Sequence, residues 1–129
     1  MIAKEVCDII KNGKIPNVDP SMVFAYSTPL DVQSSVSNKI VILITEISNR
    51  PSNRHGSDSY ITKLGLLQVQ IFYPLSVDYD TETNVEDPLL ELMESNKWFC
   101  VLGGQVDRDP QTSQLFTTFH FQKEKERIF

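Results

Sequence analysis

Tyr60 to Pro74 runs YITKLGLLQVQIFYP, and its second half decides the fold. In an extended chain Leu67, Val69, Ile71 and Tyr73 project to one side, while Leu66, Gln68, Gln70 and Phe72 project to the other. That alternation, rich in β-branched and aromatic residues and stopped by a proline, predicts a long, half-buried strand. Its expected partner is the run Ile40 to Ile44, which is apolar at every position. Such a run belongs to a central strand covered on both faces. The pattern of the chain alone specifies a soluble α+β domain with no visible active site.

Upstream, Ile2, Val6, Ile9 and Ile10 recur at helical spacing, with Lys4, Glu5, Asp8 and Lys11 on the other side. This predicts an amphipathic helix of about three turns that stops at Asn12-Gly13. Ile15-Pro16 and Asp19-Pro20 force an extended connector, because a residue before proline is pushed out of the α region. Met22 to Tyr26 is a short strand ended by Thr28-Pro29, and the Ser-rich stretch Leu30 to Asn38 is a loop. The two central strands are joined by Ser48 to Ser59, SNRPSNRHGSDS, the expected polar tip of a long β-hairpin. Loops of that length are either mobile or functional, and both readings stand for this one. Arg50, Arg54 and His55 make it the one locally basic tip on an acidic chain, and so candidate interface residues.

Downstream, Asp87-Pro88 fits the cap and first position of a helix, which could also begin a turn earlier. Leu89, Leu92 and Met93 supply its buried stripe, with Leu90 flanking, and Asn96 and Lys97 end it. Trp98 to Val106 is a strand in which Gly103-Gly104 suggests a bulge or a close backbone approach. A turn at Asp107 to Pro110 leads into the last alternating strand, from Leu115 to Gln122. The charged tail 123–129 turns apolar at Ile128 and Phe129, a second candidate for a contact surface. The expected architecture is one α+β domain over 1–129, with a mostly antiparallel four- to five-stranded sheet. Its two helices pack on one face.

At 129 residues, 40% hydrophobic and 22% charged, the chain can bury a core. A net charge of −5 argues against a nucleic-acid binder, which should carry a basic stripe. Cys7 and Cys100 lack metal-site spacing and are expected to be buried free thiols in a reducing compartment. The N-terminus lacks the apolar core of a signal peptide, and no apolar run approaches the length of a membrane span. The acidic group Asp78, Asp80, Glu82, Glu86 and Asp87 lacks the glycine and closing glutamate of a calcium loop. It is better explained as a solvated linker whose carboxylates favour a helix N-terminus. No nucleophile–base pair and no glycine-rich phosphate loop is visible, so neither an enzyme nor a cofactor or metal binder is expected. The doubly apolar Ile40–Ile44 strand asks for more cover than two helices provide. Self-association is one expected remedy, and connectors such as Leu30 to Val36 folding over the second face are the other.

The strand LLQVQIFYP (Leu66 to Pro74), the acidic linker into the Leu89/Leu92/Met93 helix and the tryptophan after it (Trp98) form a recognisable series. With the turn VDRDPQT (Val106 to Thr112) and the closing strand LFTTFHF (Leu115 to Phe121), it resembles the tail-completion (head–tail joining) proteins of siphophages and prophages of Gram-positive bacteria, which include the tail terminators. That resemblance implies a structural virion protein, made in the host cytoplasm and then part of the tail or neck. It would form a homo-oligomeric ring, typically a hexamer, at the head-proximal end of the tail tube. There it would stop polymerisation of the major tail protein and dock the head–tail connector, without a membrane or sequence-specific nucleic-acid role. A head-side neck or connector subunit shares these traits, and a non-viral α+β adaptor domain is the alternative outside virions.

Overall fold

The computed structural model describes residues 2–26, 39–52, 62–74, 82–108 and 114–126. Helix α1 (Ile2–Asn12) leads through a single 3-10 turn, Pro20–Met22, into β1 (Val23–Ala25). Then come β2 (Val41–Ser52), β3 (Thr62–Phe72), helix α2 (Asp87–Ser95), β4 (Phe99–Arg108) and β5 (Leu115–Glu126). The strands make one five-stranded sheet in the order β1-β2-β3-β5-β4. Every pairing is antiparallel except β1 with β2. The fold is therefore α+β with a mixed, mostly antiparallel sheet, as the sequence predicts, and β2–β3 is the expected long hairpin.

Register explains the core. Ile42 stands opposite Ile71, which stands opposite Thr117; Ile44 opposite Val69 and Phe119; and Leu67 opposite Phe121. These residues are buried on the face that also receives Val6, Ile10, Leu89 and Met93 from the helices. Burying an Ile or Leu side chain contributes roughly 1.5–3 kcal/mol relative to leaving it exposed. The alternation read from Leu67 to Tyr73 thus selects the helix-covered face, and Tyr73 closes it.

The α1 stripe differs from its prediction. Ala3 and Cys7 join Val6 and Ile10 in the core, whereas Ile9 is half-buried at the side facing α2. The side chain of Glu46, on β2, accepts a hydrogen bond from the Ala3 backbone N–H (3.2 Å) and another from the Tyr26 hydroxyl (3.0 Å). A helix cannot satisfy its first N–H groups internally, and a carboxylate at that end also suits the helix dipole. Gly13 does end α1, but Lys14, with φ 51°, takes the left-handed conformation. A Cβ at 13 would fall 2.3 Å from Leu92 Cδ2, so a side chain there requires the end of Leu92 to turn away.

Asp87 is not the cap of α2. A five-residue π turn, Glu82–Glu86, precedes it, so the helical path starts a turn earlier, and Glu86 at the boundary makes no side-chain cap bond. The C-terminal end is regular. Trp98 N–H donates to Met93 O and Lys97 N–H to Glu94 O, both at 2.9 Å, with Lys97 at φ 68°. These bonds form a Schellman motif, whose left-handed position favours glycine. Lys97→Gly is accordingly expected to stabilise the fold by about 1 kcal/mol, the cost of a side chain in that conformation. A midpoint shift to higher urea at unchanged slope would measure it.

Three further expectations move. The strand β2 continues through Ser48–Ser52, so those residues belong to the hairpin's body and not to its tip. The strand β4 runs through Arg108, two residues into the predicted turn. Cys100 is exposed while Cys7 is buried; both are free. Cys7 loses contact with water among helix and sheet, which pushes its thiol pKa up. Cys100 lies on the outermost strand, β4, opposite Phe121.

Candidate interaction surface

Because side chains alternate across the sheet, the face away from the helices carries Phe24, Leu43, Gln70 and Thr118 in one row. Thr45, Gln68 and His120 form the next row, and Phe72 lies against Phe116 with ring centroids 5.1 Å apart. Gln68 Oε1 and His120 Nε2 share a hydrogen bond at 3.0 Å. These residues are half-buried, and none belongs to the core cluster. The Ile40–Ile44 run is therefore not equally buried on both sides. Ile40, Ile42 and Ile44 enter the core, Val41 is buried outside that cluster, and Leu43 is half-covered. The second face is mixed amide and aromatic, and its Phe72–Phe116 row ends on the exposed carboxylate of Asp107, which stands opposite Phe116 on β4.

At one end of the sheet, β4 is exposed along nearly its whole length, only Leu102 being half-buried. Phe99, Val101 and Val106 are 51%, 54% and 62% exposed, among the largest apolar exposures of the described residues. Two register irregularities, Cys100/Leu102 and Leu102/Gln105, interrupt the pairing with β5, and Gly104 has φ 64°. The Gly103-Gly104 pair is thus a bulge, as its composition suggests. At the other end β1 is three residues long and pairs only with Ile42 to Ile44 of β2.

Of the residues singled out as an interface, Arg50 lies in β2 opposite Leu64. Arg54, His55, Ile128 and Phe129 lie outside the described residues, as do Asp78, Asp80 and the Leu30–Asn38 stretch. The structure instead draws attention to Phe99, Val101 and Val106, which the sequence reading treats as ordinary strand residues. Among the described residues no three His, Cys, Asp or Glu side chains gather to hold a metal, and no helix is long and apolar enough to cross a membrane. A shallow groove of about 340 Å³ between α1 and α2 is lined by Asp8, Ile9, Asn12, Gly13, Leu92 and Asn96.

The strongest electrostatic pair lies in the connector before β1. Asp19 Oδ2 accepts from Lys39 Nζ at 2.8 Å, and Asp19 Oδ1 accepts from the Ser21 N–H and hydroxyl at 3.0 and 2.9 Å. The Lys39 bond first, then the Ser21 bonds, hold the Asp19 carboxyl down at about 2. A depressed carboxyl pKa stabilises the fold above the unfolded-state value, and that share is lost as pH falls from about 4 through about 2. Asp19→Asn should therefore flatten stability against pH across that window and leave the slope above it unchanged. Urea midpoints taken between pH 2 and 6 check this, and an identical acid slope in both proteins would refute it.

No curated protein matches the chain. A family model described as "Protein of unknown function (DUF806)" matches residues 1–126, and the protein belongs to that family.

Proposed function

We propose that this protein is a siphophage or prophage tail terminator. It assembles with itself into a ring on the head-proximal end of the tail tube. There it stops addition of the major tail protein and offers the docking surface for the head–tail connector. The reading starts from the resemblance of the Leu66–Pro74 strand, the Leu89/Leu92/Met93 helix with Trp98, and the closing Leu115–Phe121 strand. The observation that supports it most is that, among the described residues, one small sheet leaves two unlike surfaces open. These are the β4 edge, with Phe99, Val101 and Val106 exposed, and the amide-rich rows Gln70–Thr118 and Gln68–His120 on the face away from the helices. A ring needs a heterologous contact, in which two different patches of each copy meet. The net charge of −5 suits a collar through which DNA must slide, since carboxylates repel phosphates. Catalysis, a resident metal and a cofactor play no part in this role.

Deleting the gene from a phage or prophage that carries it tests the proposal by electron microscopy of the particles. Overlong tails are expected. Tails of normal length that stay unattached to heads would assign the protein to the head-side connector instead. Intact virions would return it to the class of small adaptor domains.

A further inference from the structure

Resting on the ring reading, we infer that the outer edge of β4 is the seam between copies, adding as an antiparallel strand to the β1–β2 edge of the next copy. An edge strand presents unpaired N–H and C=O groups, and proteins that stay monomeric guard it with lysine, inward charge or cover. Here β4 has a strand partner on one side only among the described residues. No charged residue stands between Phe99 and Val106, and three large apolar side chains of the strand are more than half exposed.

The occupant follows from strand direction. β4 is antiparallel to β5, β5 to β3 and β3 to β2, while β1 follows β2. The two ends of the sheet therefore run in opposite directions, so copies set side by side in one orientation offer each other an antiparallel pair. Among the described residues the receiving edge has room, because β1 pairs only with Ile42 to Ile44 and β2 continues to Ser52. The helices stay on one side of the extended sheet, and each seam repeats the last. Irregularities at Cys100/Leu102 and Leu102/Gln105 break β4 into short pairing stretches, the longest Gln105–Arg108, and the bulge at Gly103-Gly104 turns the strand. A turn of that kind at each junction helps the sheet curve toward closure.

The test uses the full chain and its Phe99→Lys/Val106→Lys double variant, compared by sedimentation velocity over a concentration series. Both side chains are exposed, so the variant should match the wild type in far-UV circular dichroism and thermal midpoint. The expected result is a wild-type assembly larger than a dimer, weakened about a hundredfold in the variant by the loss of two ordinary interface contacts. A second readout needs only the wild type: amides of β4 that point away from β5 should exchange slowly in the assembly and fast after dilution to monomer. An assembly indifferent to the lysines, with those amides unprotected, overturns the seam and leaves the ring standing. A wild type that stops at a dimer overturns the head-to-tail seam, and a monomer at every concentration overturns seam and ring together.

Discussion

Replacing Trp98 by alanine is expected to cost about 3–5 kcal/mol of stability, the range for emptying a large aromatic site. Trp98 is 1% exposed, directly follows α2, and belongs to the core cluster that includes Met93 and Phe121. Lys123 Nζ sits 5.8 Å from its ring centroid, a cation–π contact on the wet side. Yet among the described residues its Nε1–H has no hydrogen-bond partner. A buried, unsatisfied donor costs about 1–3 kcal/mol, so the native side chain carries a penalty along with its packing. Trp98→Phe removes that donor while keeping much of the apolar volume. It should lose about 1 kcal/mol or less, because relief of the N–H offsets most of the cavity. Urea unfolding of both variants, at matched slopes, measures the contrast. If phenylalanine costs as much as alanine, the indole N–H is not a liability and its burial has been misread.

Much of this architecture is local and therefore legible. The period-two pattern from Leu66 to Tyr73 assigns each side chain to its face, and the 3.6-residue pattern places Val6, Ile10, Leu89 and Met93 in the core. What fails is what depends on the distant chain. An apolar segment such as WFCVLGGQV has the composition of an interior strand. Only the pairing order, with β5 inserted between β3 and β4, makes it an edge. The same displacement leaves Cys100 exposed, although cysteine is usually buried. The parallel β1–β2 contact is likewise invisible to periodicity, which carries no strand direction. Glycine at 13 suggests a left-handed stop, but Lys14 takes the unusual φ. The proposed interaction surface is the least legible part. Charge made the hairpin tip conspicuous, whereas the exposed surface of β4 consists of residues that resemble core.

Tyr73→Phe should lose about 1.5–3 kcal/mol, and Tyr73→Ala about 3–5 kcal/mol. The difference separates a hydrogen bond from packing at the junction of sheet and helix. Tyr73 is buried at the end of β3, where its hydroxyl donates to Glu86 Oε2 at 2.6 Å. Glu86 ends the π turn that leads into α2, so this bond fixes the start of the helix against the strand that precedes it in the chain. Two backbone contacts hold the same point from the other side. The Tyr73 N–H donates to Leu115 O at 2.9 Å, and Gln114 Nε2 donates to Tyr73 O at 3.1 Å. Neither depends on the phenol, so Tyr73→Phe keeps the β3–β5 registration and releases only the helix side. Short bonds to an ionised acceptor are the stronger kind, but Glu86 is half-buried and water can replace part of the loss. That places the phenylalanine variant toward the lower end of its range. A cycle with Glu86→Gln isolates the pair and should return a coupling of about 1–2 kcal/mol. A coupling near zero would mean that the 2.6 Å contact contributes nothing, leaving burial of Leu89 and Met93 alone to seat α2 on the sheet.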